Sequence, residues 1–485
     1  MNIKVLSLLL GLVITLAFGA SEAPAQDYAP RGELVRFVML SRHGVRSPLQ
    51  TPDELNKWRR SPDPKWPDFG VCRGYLTNPH GANLIKLMGA YYRNYLNDQK
   101  LYISRQCPKD DAFIWTDVDQ RTRATAEALV VGLGLDDGEP QCGRLPIKGD
   151  PIPHKEDPAD CKKVDEDPDP LFHPTKAEKN LPKCSLDPTK VDRSVGNLDD
   201  LKRTLKPQLA KAQYILQCCS SNLCKAENPG RQTCELQVLR SWIEPNPNTD
   251  PDPQHVSVSV KGGLGDAQSF AEILMLEYAQ GFTGQAFGFG RANEADMEAD
   301  MLDILKIHTG VFDKVQRASY VAQRQGDNLL YHIAYAVEYG RDPTETERDK
   351  KFIAYIGHDT NIANVAGLLN LHWQLYKYPV DDMPPGGALI FEVRKESDNQ
   401  LFVYAFFAAQ SPDTMREGSK EAEMKPVSSK AEAEMKPVSI PCTGTGKRKD
   451  GSCSMEEFIN LTDKALYNEA KEVCVTDLLP ELPRR

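Results

Sequence analysis

Residues 34–48 read LVRFVMLSRHGVRSP, and the fold turns on this stretch. Its first half, Leu34 to Leu40, is an almost unbroken run of aliphatic and aromatic residues, the pattern of a strand covered on both faces. The run then turns abruptly polar and delivers Ser41-Arg42-His43 at its carboxyl end. Two other segments share this design. Ala112 to Thr116 (AFIWT) ends at Asp117-Val118-Asp119, and Phe352 to Ile356 (FIAYI) ends at Gly357-His358-Asp359. A helical pattern follows each of these two. Gln120 to Leu133 gathers Ala124, Ala128, Leu129 and Leu133 on one side, and roughly Asn361 to Leu369 gathers Ile362, Val365, Ala366 and Leu369. Apolar strands alternating with helices predict an α/β domain with a mainly parallel central sheet flanked by helices. In such sheets ligands bind beyond the carboxyl ends of the strands. All three strands bring Arg, His or Asp to that edge.

Away from these strands the chain changes character. Leu145 to Pro182 holds eight prolines among Asp and Lys, which predicts irregular surface chain. Leu198 to Leu216 and Ala267 to Ala279 read as helices, joined through the turn-rich Glu244 to Pro253. At 485 residues the chain exceeds what one compact core usually holds. We therefore read an α/β domain in two parts, 27–145 and 305–485, around an inserted mostly helical domain at 146–304. After Pro384-Pro385-Gly386-Gly387, Ala388 to Val393 and Leu401 to Ala408 predict a hairpin around Ser397-Asp398-Asn399. One repeat occurs: EAEMKPVS at Glu421–Ser428 returns at Glu432–Ser439. Two copies are too few for a solenoid, so the expectation is a local duplication with one copy looped into solvent.

Residues 1–25 read as a signal peptide, with Lys4, the apolar run Val5 to Phe18, and Ala23-Pro24-Ala25 before a cleavage point at Gln26. That run is shorter than the roughly 20 residues needed to span a membrane. Export to the periplasm or the medium is expected, with no membrane attachment after cleavage. Twelve cysteines suit an oxidising compartment. Cys224 and Cys234, like Cys442 and Cys453, bracket turns as local staples. The neighbours Cys218 and Cys219 are not expected to pair with each other, which leaves some cysteines free. The net charge of −10 argues against nucleic-acid and anionic-membrane partners. An anionic substrate would need a local basic pocket.

The RHGVRSP run supplies one. Arg42 and Arg46 present planar donor forks that match phosphate oxygens and stay charged at any working pH. His43 between them should have a depressed pKa, keep a free lone pair in acid and serve as a nucleophile toward phosphorus. Gly44 would let the backbone approach the anion closely. Arg121, opening the helix after the second strand, can reach the same anion, although Asp117 and Asp119 could simply cap that helix. Asp359 fits the acid that protonates a leaving alcohol, its carboxyl kept neutral by burial or nearby negative charge. His358 fits as another donor to the phosphoryl oxygens. Nine histidines could instead imply a metal, but there is no HExxH, no HxH and no dense His/Asp cluster, so neither metal nor other cofactor is expected.

The sequence resembles the histidine acid phosphatases, branch 2 of the histidine phosphatase superfamily, and within it the bacterial periplasmic phytases and glucose-1-phosphatases. The likeness is carried by RHGVRSP, DVDQRTRATAE, DPDPLFHP, SNLC, GHDTNIANVAGLLNLHW, PPGGALIFE and the Cys442/Cys453 ending. It implies a phosphoglycerate mutase-like α/β domain with a helical insert, and a metal-free two-step hydrolysis of small phosphomonoesters by a monomer. By the same likeness His43 is the nucleophile and Asp359 the proton donor. Arg42, Arg46, Arg121 and His358 form the phosphate clamp, Asp117 is a pocket carboxylate near the substrate, and Glu272 is a substrate-side acid that alone would read as helix surface. The implied disulfides are Cys107–Cys142, Cys184–Cys474, Cys224–Cys234 and Cys442–Cys453, with Cys72, Cys161, Cys218 and Cys219 unassigned. Leu49-Gln50 stand where bacterial phytases typically carry Thr-Lys, which loosens the substrate between phytate, glucose 1-phosphate and a broad range. A phosphoryl-transfer mutase and a non-catalytic organic-phosphate-binding protein are the alternatives.

Overall fold

The computed structural model describes residues 30–136, 141–149, 161, 169–175, 186–227, 234–245, 257–293, 295–346, 349–375, 377–424, 433–443 and 446–466. The expected signal peptide, Cys184 and Cys474, and most of the proline-rich stretch lie outside them. In chain order the strands are β1 (Glu33–Arg42), β2 (Ala112–Thr116), β3 (Ile147–Lys148), β4 (Ser241–Glu244), β5 (Ser259–Gly262), β6 (Phe352–Gly357), β7 (Ala388–Lys395), β8 (Leu401–Gln410), β9 (Ala433–Val438) and β10 (Cys453–Ser454). β4 and β5 pair with each other, and the rest form one mixed sheet in the order β10-β8-β7-β1-β6-β2-β3, with β9 also on β8.

The three strands singled out in the sequence are its parallel core. β1 pairs with β6, bringing Arg42 level with Gly357, and β2 pairs with β6, bringing Thr116 level with Ile356. Their carboxyl ends therefore share one edge. The hairpin β7–β8 adds an antiparallel half beside β1, turning at Asn399 (φ 65°), whose N–H donates to Glu396 O at 2.9 Å.

Both faces of the parallel core are covered, which is why its strands are apolar throughout. Phe37 and Met39 pack with Ile85, Met88 and Leu129 of the helices His80–Asp98 and Gln120–Gly132. Val38 and Leu40 point the other way, into a larger core with Leu329, Ile362 and Phe458 of the helices Ser319–Tyr339, Asp359–Leu369 and Met455–Leu466.

The described part of residues 186–293 is mostly helical. The predicted helix Leu198–Leu216 is two helices, Leu198–Thr204 and Lys206–Leu216. Pro207 explains the break: without an N–H, and with its ring against the preceding turn, it belongs in a first turn rather than an interior. Gly263–Ala279 is almost wholly buried and packs on Met297–Val315, a helix that runs through residue 304. No helix among the described residues is long and apolar enough to cross a membrane.

Cys107–Cys142, Cys224–Cys234 and Cys442–Cys453 are bonded as the resemblance implied. Two pairings are new. Cys72 joins Cys161, and Cys218 joins Cys219, contrary to expectation. The expectation rested on neighbouring residues rarely meeting disulfide geometry; here the bond between Cys218 and Cys219 is cis and their Cα atoms lie 2.9 Å apart. No cysteine among the described residues is free. The duplicated octapeptide lies only partly within the described residues. Its first copy begins as the end of the helix Pro412–Met424, while residues 433–438 of the second form β9. β9 is an edge strand, where Pro437 is tolerated.

Candidate active site

Backbone hydrogen bonds carry the sheet pairing past the end of β1 and fix the RHG turn. Arg42 N–H donates to Gly387 O (2.9 Å), His43 N–H to Gly357 O (3.0 Å), and Gly386 N–H to His43 O (2.9 Å). His43 is buried, with Nδ1 2.8 Å from Gly44 O. A carbonyl only accepts, so Nδ1 carries the proton and Nε2 keeps its lone pair. Burial, and after it the charges of Arg121, Arg42 and Arg46, hold the imidazole well below its ordinary pKa. The expected direction is met, with desolvation ahead of the arginines. Gly44 is also constrained by packing. A Cβ there would lie 2.8 Å from Ile85 Cγ1 and 2.8 Å from Leu76 Cδ1, so packing under the turn demands the glycine.

Each of the three arginines Arg42, Arg46 and Arg121 holds a carboxylate. Arg42 Nη2 lies 2.5 Å from Glu272 Oε1 and 2.8 Å from Asp359 Oδ2, while its Nη1 donates to Met383 O at 2.6 Å. Arg46 Nη2 reaches the same Glu272 oxygen at 2.7 Å, and Arg121 Nη2 reaches Asp119 Oδ2 at 2.8 Å. Glu272 is thus no ordinary helix-surface residue: it bridges two buried guanidinium groups. Although burial opposes it, Arg46 and Arg42 keep its carboxyl ionised below the usual range. Asp119 stands at the N-cap of Gln120–Gly132 without capping it, because its carboxylate is spent on Arg121.

Asp359 corrects one expectation. Burial would favour its neutral form, yet Arg42 at 2.8 Å and His308 Nε2 at 3.6 Å outweigh it. Its pKa is pushed down to about 2, so Asp359 stands here as a carboxylate. A dianion spread over the same arginines would offset their charge and return the group toward a proton.

His358 opens the helix Asp359–Leu369, its N–H donating to Asn361 Oδ1 at 2.9 Å. Its Nε2 lies 2.7 Å from Asp117 Oδ2 and 3.3 Å from Asp119 Oδ2. Burial and Arg121 lower its pKa, but these two carboxylates win and raise it. Its ring stands edge-on to His43, 5.4 Å between centroids. Asp117 is wholly buried and adjoins the pocket through histidines, the second being His173 at 2.7 Å.

Four of the eight residues singled out from the sequence, Arg42, Arg46, Asp359 and Glu272, form one ion-paired cluster; His358, Asp117 and Arg121 gather around Asp119, and the His43 ring stands edge-on to His358. Sequence reasoning missed His173, His308 and the use of Asp119. His173 stands in DPDPLFHP, a string quoted only for likeness, and His308 is one polar residue within an apolar helix; only tertiary packing gives them meaning. Asp117, Asp119, His173 and His358, and separately Glu272, His308 and Asp359, converge closely enough to be the residues that could hold a cation. Their contacts here are hydrogen bonds and ion pairs among themselves and with the arginines.

A family model described as the histidine phosphatase superfamily (branch 2) matches residues 33–232 and 266–407. Phytase AppA of Escherichia coli (strain K12) is 31% identical over 96% of this chain and 97% of its own length. A glucose-1-phosphatase of Providencia rettgeri is 25% identical over 96% and 100%. Among solved structures, the apo form of Hafnia alvei phytase has a TM-score of 0.72 at 30% identity, covering 90% of this chain and 98% of that one. The same phytase with myo-inositol hexakis sulphate gives a TM-score of 0.73 at 28% identity, covering 92% and 100%.

Proposed function

The chain belongs to the histidine phosphatase superfamily (branch 2) and hydrolyses phosphomonoesters, and we propose that His43 and Asp359 perform that hydrolysis. The phosphoryl group binds the guanidinium forks of Arg42, Arg46 and Arg121, with His358 as a further donor. His43 Nε2 attacks phosphorus in line; the N–P bond forms as the bond to the ester oxygen breaks, and Asp359 gives that oxygen its proton. Water then attacks the phosphohistidine and passes a proton to the Asp359 carboxylate. The N–P bond breaks, releasing inorganic phosphate and restoring both residues. Asp117 and Glu272 act on the substrate by orienting His358 and the two arginines. The observation that carries this reading is the unprotonated Nε2 of His43 beside three arginines at one sheet edge.

In this reading the substrates are sugar and polyol phosphates, phytate and glucose 1-phosphate among them, and the mature chain acts as a monomer outside the cytoplasm. Relatives named as phytases and glucose-1-phosphatases support the substrate class. Phosphate release from p-nitrophenyl phosphate between about pH 4 and 6 should persist in chelator. It should fall by at least about 10³-fold in His43→Ala. Equal turnover in the variant would overturn the assignment. A panel of phytate, glucose 1-phosphate and aryl phosphates ranks the substrates.

A further inference from the structure

Residues 169–175 belong to no strand of the catalytic edge, yet they enter it. Trp115 Nε1 donates to Asp169 Oδ2 (2.9 Å), Asn328 Nδ2 to Pro170 O (3.2 Å) and Asn361 Nδ2 to Phe172 O (2.8 Å). Leu171 and Phe172 are buried. The segment is therefore fixed to β2, to Ser319–Tyr339 and to the helix that follows His358. From it His173 Nε2 reaches Asp117 Oδ2 at 2.7 Å, the same oxygen that His358 Nε2 reaches at 2.7 Å. The two rings lie 5.4 Å apart.

We propose that His173 is a positioning residue for phosphoryl transfer: by donating to Asp117 it keeps that carboxylate charged and aimed at His358 at acid pH. The inference rests on the proposed roles of His43 and His358. A carboxyl group withdrawn from water takes up a proton readily unless donors hold its charged form. Burial acts that way on Asp117, and the hydrogen bonds from His173 and His358 outweigh it, holding the group well below the usual range. Asp117 Oδ1 accepts only a local backbone bond, from Val118 N–H at 2.9 Å, among the described contacts. The other charged groups facing this carboxylate are Asp119 and Arg121 at the start of Gln120–Gly132, and Asp169, which Lys148 partly offsets. Without His173, Asp117 would have one imidazole donor instead of two and would protonate at a higher pH. His358 would then lose its charge partner at the acid end of the profile.

The test compares pH profiles of kcat/KM for the full chain, using p-nitrophenyl phosphate. His173→Phe keeps a ring and removes the donor; its acid limb should move up by about one pH unit, a roughly tenfold loss at the lowest pH with little change near pH 6. His173→Gln keeps an N–H of similar reach and should restore the limb. Affinity for inorganic phosphate, measured by calorimetry at both ends of the range, should follow the same pattern. An unmoved acid limb in His173→Phe, a loss equal at every pH, or a Gln variant as impaired as Phe would each overturn the inference while leaving the hydrolase reading intact. A wild-type protein with no turnover would overturn both.

Discussion

Arg42 holds Glu272 and Asp359 at once, so the residue proposed as acid starts as a base. Its proton must arrive with the substrate, whose own charge takes over the arginine forks. The leaving group then decides how much Asp359 matters. Asp359→Asn should cost about 10²–10⁴-fold in kcat on glucose 1-phosphate, whose alkoxide needs a proton. It should cost far less on p-nitrophenyl phosphate, whose phenolate leaves unaided; equal losses on both would remove the acid role. At this level the sequence was informative about identity and poor about environment. RHG and HD were visible because consecutive residues carry the chemistry. That Glu272 bridges Arg42 and Arg46, or that Gly44 is required by Ile85 and Leu76, depends on partners far along the chain.

The helix Asp359–Leu369 does more than present His358. Its buried Asn361 accepts from His358 N–H and donates to Phe172 O, tying the strand end and the His173 segment to one amide. Asn361→Ala should destabilise the fold by about 1–3 kcal/mol, the cost of buried groups left unpaired. It should also lower kcat/KM, since His358 and His173 both lose their anchor. Urea unfolding and steady-state kinetics on one preparation check the pair; a stability loss with unchanged kinetics would confine Asn361 to a structural role. The strands of the parallel core were legible because burial on both faces leaves a continuous apolar run. The break at Leu205 was missed because the periodicity on either side of Pro207 continues in phase. The octapeptide was illegible in principle: the same residues end a helix in one copy and form an edge strand in the other, so neighbours and not propensity choose.

For the whole molecule, the carboxylates of the site make the fold sensitive to strong acid. Asp359, Glu272, Asp117 and Asp119 all have folded pKa values below their unfolded ones. Their stabilisation is present above the unfolded value of about 4 and is lost as pH falls toward the folded values. Between about pH 4 and 6.5 two sets oppose each other. Buried acids such as Asp382, raised to about 6, and Glu277, raised to about 8, lose stabilisation as pH rises, whereas that of His358 is lost only above about 6.5. His43, His308 and His80, held neutral, gain it. Calorimetry should therefore find a flat melting temperature over that window and a steep fall below about pH 4. A maximum below pH 3 would contradict the assignment of these ion pairs.

The position of β1 between β6 and β7 has a consequence in time. The strand that leads to His43 is made first, while both of its neighbours come from the last third of the chain. Pairing them closes a very long loop, the kind of contact that forms late and slowly. Until then the nascent or unfolded chain carries the proposed nucleophile without the groups proposed as its acid, clamp and oriented donors. Catalytic competence is thus a property that appears only on completion, and a chain cut anywhere before Phe352 would be expected to bind phosphate weakly and hydrolyse nothing.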